Sequence, residues 1–146
     1  MQESIKFSGA EANVVVHATE DKDRILAAIQ SQLNLPADSF IESMADGHYK
    51  NKILMLKAVF SSEEAGQLAS RMAAKLSSSD REEIWHNIRQ LSDEKGNLFL
   101  RIDKQRLCQG KVSITSADSL RIKFKPIKRY RPASSLESYR GLFTSE

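Results

Sequence analysis

The chain has 146 residues, 40% of them hydrophobic and 28% charged, with one cysteine and a formal net charge of +3. That length supports one domain with its own core without disulfides or metal, and no apolar run approaches the ~20 residues of a membrane span. Cys108 has no partner for an intrachain disulfide and the start MQESIKFSG is too polar for a signal peptide, so the expected setting is the cytoplasm, with no membrane partner.

Residues 12–18 (ANVVVHA) are β-branched and apolar, the pattern of a buried strand. Thr19 is the expected N-cap of a helix whose acidic start, Glu20, Asp21 and Asp23, complements the helix dipole and repels phosphate. Ile25, Leu26, Ile29 and Leu33 share its buried face, and it ends near Asn34, before Pro36. FIESM (40–44) reads as a short strand, and GHYKNKI (47–53) as the turn that feeds the next one. There Gly47 permits a positive φ, His48 and Tyr49 pack or hydrogen-bond locally, and Lys50 and Lys52 remain as cations. Residues 52–60 (KILMLKAVF) are apolar enough for a central strand with both faces at least partly covered.

Two helices follow. Ser61 with Glu64 makes a capping-box pattern ahead of Ala65, Leu68, Ala69, Met72 and Leu76; Ser79 with Glu82 repeats it ahead of Ile84, Trp85, Ile88 and Leu91. After Gly96 the period changes from 3.6 to 2. Leu98, Leu100 and Ile102 alternate with Phe99 and Arg101, Val112 and Ile114 with Lys111 and Ser113, and Leu120, Ile122 and Phe124 with Arg121, Lys123 and Lys125. These are three strands, joined by the loop DKQRLCQG and the turn SADS.

The expected architecture is α+β: a largely antiparallel sheet of about six strands, a mixed arrangement remaining open, with about three helices on one face. Residues 1–131 form the domain, and 132–146 a tail that is either a short helix or disordered.

Charge is unevenly distributed. Residues 1–94 hold ten Lys or Arg against fifteen Asp or Glu, net −5, whereas residues 95–131 hold eleven against two, net +9. This asymmetry points to a polyanion. Alternation sets Arg121, Lys123 and Lys125 in a row about 7 Å apart, comparable with the phosphate spacing of an extended strand. Lys128, Arg129 and Arg131 continue the row, and Tyr130 among them is available to stack on a base. Lys104, Arg106 and Lys111 join it if their hairpin lies beside the last strand; Lys50, Lys52 and Tyr49 are further candidates. Solvated lysines that discourage edge pairing are the plainer account of the row.

Catalytic and cofactor signals are weak. The six glycines form no Walker loop or dinucleotide fingerprint, and His17, His48, His86 and Cys108 lack metal-ligand spacing. Asp103 is better placed to cap the following turn than to bind metal. No cofactor, no metal and no catalytic residue are expected.

VHATEDKDRILAAI, GHYKNKI, LRIDKQ and the closing basic strand together resemble the archaeal RNA-binding family described as a predicted exosome subunit, across about residues 11–125. The matching positions are His17, Thr19, Glu20 and Asp21; Gly47, His48 and Tyr49; and Asp103, Lys104 and Gln105. Lys50 and Lys52 stand where that family has glycine and proline. The resemblance implies a fold like that of the ribosomal large-subunit protein that binds 5S rRNA, and a non-catalytic RNA-related role linked to the exosome or the ribosome. The alternative is a protein-interaction module or homodimeric scaffold in an RNA-processing assembly, without direct RNA contact.

Overall fold

FSGAEANVVV places Phe7, Ala10, Ala12, Val14 and Val16 on one side of strand β1 (Phe7–Val16), all buried. In the computed structural model, which describes residues 7–46, 52–127 and 139–143, this strand is the middle of a five-stranded sheet. The others are β2 (Ile41–Asp46), β3 (Lys52–Phe60), β4 (Leu98–Asp103) and β5 (Ser119–Pro126), in the order β2-β3-β1-β5-β4. Every neighbouring pair is antiparallel. The protein is therefore α+β with an antiparallel sheet.

Helices cover one side of it. They are α1 (Lys22–Leu33), α2 (Ser62–Lys75), α3 (Ser78–His86), α4 (Ile88–Leu91) and α5 (Lys104–Cys108), with a 3₁₀ turn at Ala37–Ser39. The small residues Ala10, Ala12 and Ala58 on the sheet and Ala65 and Ala69 on α2 are all buried in one core, in which α2 packs chiefly on β1. Leu98, Leu100, Ile102, Leu120, Ile122 and Phe124 complete the core from β4 and β5. No described helix is long and apolar enough to cross a membrane.

Several expectations need correction. The strand expected over 111–115 does not form: pairing with β4 is confined to the isolated bridge Ile114–Ile102, closed by the Asp103 amide donating to the Ser113 carbonyl and the Thr115 amide donating to the Arg101 carbonyl, while the Ile114 amide, facing away from β4, donates to Asp80. Upstream of that bridge the Lys111 amide bonds back to the Arg106 carbonyl of the helical turn that follows β4, so the segment cannot run the length of β4 and the described sheet has five strands, not six. DKQRLCQG contains α5, because Asp103 accepts from the amide of Arg106 and caps a helical turn. The helix after Ser77 breaks at Asn87, giving α3 and α4 where one was expected.

Two caps also shift. Asp21, not Thr19, accepts from the amides of Asp23 and Arg24 at the start of α1, and Ser77, not Ser79, caps α3. The capping box of α2 is present as expected, and its hydrogen bonds hold the Glu64 carboxyl below the usual range. β3 is not covered on both faces: Leu56, Ala58 and Phe60 are buried while Met55, Lys57 and Val59 are exposed. The segment read as a tail contributes to the core through Tyr139 and Phe143, both buried; residues 139–142 are helical, and the Tyr139 hydroxyl donates to the Gly96 carbonyl at 2.6 Å.

β1 carries an irregularity between Phe7 and Gly9 where it pairs with β5. A Cβ at Gly9 would lie 2.8 Å from the carbonyl oxygen of Phe60. Gly9→Ala is expected to destabilise the domain by about 1–3 kcal/mol, because backbone rather than a flexible side chain must move. Chemical denaturation at neutral pH measures this, and an unchanged midpoint would refute the close approach.

Candidate nucleic-acid interface

The side of the sheet opposite the helices is open, and cross-strand register sets its side chains in rows. One row runs Val59, Glu11, Lys123, Phe99 across β3, β1, β5 and β4. The next runs Ile41, Lys57, Asn13, Arg121, Arg101 across all five strands. Gly9 pairs with Lys125 beyond them. The rows are about 7 Å apart, two residues of strand rise. Five cations from three strands thus share a face with a central carboxylate.

That carboxylate, Glu11, lies 3.1 Å from the Lys125 ammonium and 3.7 Å from that of Lys57. Burial raises its pKa, but the Lys125 hydrogen bond and the charges of Lys125, Lys57 and Lys123 outweigh burial and leave it below the usual carboxylate range. It stays ionised and offsets part of the cationic field. The remaining cations make no close ion pair: among the described residues no carboxylate lies within 4.0 Å of Arg101, Arg121 or Lys123, although Lys123 acts on Glu11 and Asp93 from further away. Arg101 and Arg121 stand directly opposite each other in the β4–β5 ladder. Like charges so placed destabilise a sheet.

Of the candidates read from sequence, Arg121, Lys123 and Lys125 are brought together on this face. Lys52 falls on the other side of β3, with Leu54 and Leu56. Arg106 and Lys111 lie on the helix side, lining an open groove of about 660 Å³ with Lys75, Asp80 and Asp103. Lys128, Arg129, Tyr130, Arg131, Tyr49 and Lys50 lie outside the described residues. Arg101, Phe99 and Lys57 were missed as site residues. The alternation of LFLRID already put Phe99 and Arg101 on one side; what was lacking was the knowledge that β4 lies beside β5.

Lys104 is corrected outright. Expected among the exposed cations, it is 1% exposed: its ammonium donates to the Val15 carbonyl at 2.7 Å and to Glu20 at 2.8 Å, and pairs with the Asp118 carboxylate at 2.7 Å. Glu20 also accepts from the amide of His17 and from Gln105, and His17 lies 3.3 Å from Asp118. The cluster ties the ends of β1 and β5 to α5 and the loop before α1.

His17, Glu20 and Asp118 offer ligand atoms within 4.8 Å of one another. The Lys104 ammonium, bonded to two of the three, supplies the positive charge there. Residue 118 lies about a hundred residues after 17 and 20, so the three together give no spacing signal in sequence. His48 lies outside the described residues.

The chain is similar to proteins already named or solved. It is 29% identical over 124 residues to "RNA-binding protein PAB1135" of Pyrococcus abyssi (strain GE5 / Orsay), a match spanning 78% of this chain and 80% of the relative. The crystal structure of protein AF2318 from Archaeglobus fulgidus, a DUF54 protein, superposes with a TM-score of 0.79 at 29% identity, covering 94% of this chain and 99% of that one. Mth689, a DUF54 protein from Methanothermobacter thermautotrophicus, shares the fold at a TM-score of 0.76 and 21% identity, covering 95% and 99%. A family model described as RNA binding matches residues 10–126, which takes in all five strands' shared core and the open face, and on that match the chain belongs to this RNA-binding family.

Proposed function

We propose that the protein binds RNA through the open face of its sheet, with Arg101, Arg121 and Lys123 as principal phosphate contacts and Lys57 and Lys125 beside them. The observation that carries this reading is the Arg101–Arg121 pair. Two arginines directly opposed on an open face, without a carboxylate partner among the described residues, weaken the sheet that holds them. A polyanion relieves that repulsion on binding. Lys128, Arg129, Arg131 and Tyr130 follow β5 directly in sequence and are proposed to extend the same surface, while Lys50 and Tyr49 precede β3 and are secondary candidates. Lys52, Arg106 and Lys111 are remote from the face and are not assigned to it, and Lys104 is given a structural role. The function is binding and not catalysis.

Salt dependence tests this reading. With three to five phosphates neutralised, log affinity should fall against log salt with a slope of roughly −2 to −3.5, at ~0.7 per phosphate for a single strand. An affinity indifferent to salt would reject phosphate contact as its source.

A second reading has its own support at the other end of the sheet. Ile41 is 76% exposed, Val59 66% and Met55 45%, and β2 is bonded to β3 alone. That apolar strip and strand edge suit a protein neighbour, either a second copy in a homodimer or a component of an RNA-processing assembly. Association with the exosome or the ribosome, and a fold relation to the 5S rRNA-binding protein, rest on the motif resemblance.

A further inference from the structure

We infer that Phe99 is a stacking platform for an unpaired base, so that the RNA this face takes is single-stranded; the inference rests on the RNA-binding reading of the same face. On β4 the residues flanking Phe99 are in the core, Leu98 at 0% exposure and Leu100 at 2%, whereas Phe99 is 41% exposed in the middle of the cationic half. An aromatic ring held on a rigid strand, turned away from the core, presents a π surface at small conformational cost.

The surroundings select the ligand. Lys123 holds its ammonium over the ring, 5.7 Å from its centroid, a cation–π contact on a flexible stem that a base replaces as the ammonium moves to the flanking phosphate. The opposed pair Arg101 and Arg121 lies one row further along the strands, about 7 Å away. A base on the ring therefore leaves one flanking phosphate beside Lys123 and the next beside the arginine pair, a step comparable with one nucleotide of an extended strand. A duplex offers no exposed base face to a ring. Double-stranded RNA is read through shape, phosphates and 2′-hydroxyls, whereas unpaired bases are read by stacking on aromatic residues.

Two features argue against Phe99 as a protein anchor. Among the strands the other exposed large apolar residues, Ile41, Met44, Met55 and Val59, lie on β2 and β3, across the sheet from β4, Ile127 lies past the end of β5, and the side chain paired with Phe99 in register is a cation. An apolar partner seated on Phe99 would bury Lys123, Arg101 and Arg121 without their counter-charges, which is heavily unfavourable.

Fluorescence anisotropy with a labelled, non-self-complementary strand of about 12 nucleotides, and with its blunt duplex, tests the inference. Wild type should bind the strand more tightly than the duplex. Phe99→Ala and Phe99→Leu should weaken strand binding roughly 5- to 150-fold, the range for removal of one stacked base, and leave duplex binding unchanged; Phe99→Trp should retain strand binding. Leucine keeps the apolar bulk, so it separates stacking from burial, and thermal melting checks that each variant is folded. Equal strand affinity for wild type and Phe99→Ala, or duplex binding at least as tight as strand binding, overturns the inference. If Arg121→Glu with Lys123→Glu weakens strand binding while Phe99→Ala does not, the stacking inference alone fails. If that charge reversal also has no effect, the RNA reading of the face fails with it.

Discussion

Lys104→Met is expected to destabilise the protein by about 3 kcal/mol at neutral pH, the largest effect of any single substitution away from the apolar core. The lysine is buried, and its ammonium donates to Val15 and Glu20 and pairs with the Asp118 carboxylate, all within 2.8 Å. Methionine fills much of the same volume but donates nothing. Glu20, whose side chain is 14% exposed, then loses its ammonium partner, and the Val15 carbonyl loses its donor. Breaking a buried pair from one side costs about 3–5 kcal/mol; the half-exposed Asp118 can rehydrate, which places the loss at the low end.

The double variant Lys104→Met with Glu20→Gln should recover part of that loss, because it removes both charges. Denaturant unfolding of the single and double variants gives the coupling. A fully additive pair of losses would show that the ammonium and Glu20 do not depend on each other. Arginine should not rescue the site, since its planar fork does not reproduce three diverging donors.

Arg121→Glu with Lys123→Glu is expected to lower RNA affinity on the order of 100-fold near 0.1 M salt without unfolding the protein. Removing the cation from one phosphate weakens binding about fivefold at that salt, and reversal adds repulsion. The salt slope should also flatten by about 1.4, from two phosphates at ~0.7 each. Arg121 is exposed and Lys123 half-buried on the open face, and neither side chain belongs to the core. A folded variant with wild-type affinity would remove these residues from the interface.

Two companions of opposite sign sharpen the test. Arg101→Glu places a carboxylate opposite Arg121, so it should stabilise the fold by a few tenths to about 1 kcal/mol while weakening RNA binding. Such a trade is expected where stability is given up for a functional surface. Glu11→Gln removes the central negative charge and should tighten RNA binding.

The carboxyls of Glu11, Glu64 and Asp93 all sit below their usual range in the folded protein. Burial raises Glu11 and Asp93, but hydrogen bonds and nearby lysines outweigh it, whereas in Glu64 the Ser61 hydrogen bonds lead. A carboxyl lowered on folding contributes stability above its unfolded pKa and loses it as pH falls through the folded value. Stability is therefore lost below the ordinary carboxylate range, while protonation of Glu11 adds net positive charge to the open face.

Local pattern alone carried the elements whose signals agree along the chain. β3 and β5 begin and end where alternation and the apolar run place them, and the Ser61–Glu64 box starts α2 as read. Asn34, in the left-handed conformation, ends α1 where expected. Such features depend on neighbours within four residues, so sequence displays them. The row Arg121, Lys123, Lys125 was legible for the same reason, because a strand alternates its faces whatever lies next to it.

Tertiary structure decided what depends on partners distant in sequence. KVSIT alternates well enough for a strand, yet the Lys111 amide turns back to the Arg106 carbonyl and Asp80, more than thirty residues earlier, holds the outward amide of Ile114, so pairing with β4 stops at one bridge. Lys104 looks like any loop cation until Val15, Glu20 and Asp118 converge on it, which turns an expected surface charge into a buried lock. Phe99 and Arg101 acquire their meaning only because β4 pairs with β5 and brings them against Lys123 and Arg121. The sequence by itself determined that one strand would present a line of cations. The pairing of strands, set by burial of the common core and closed over long loops, decided which line it joined, which carboxylate tempered it and which ring lay within it.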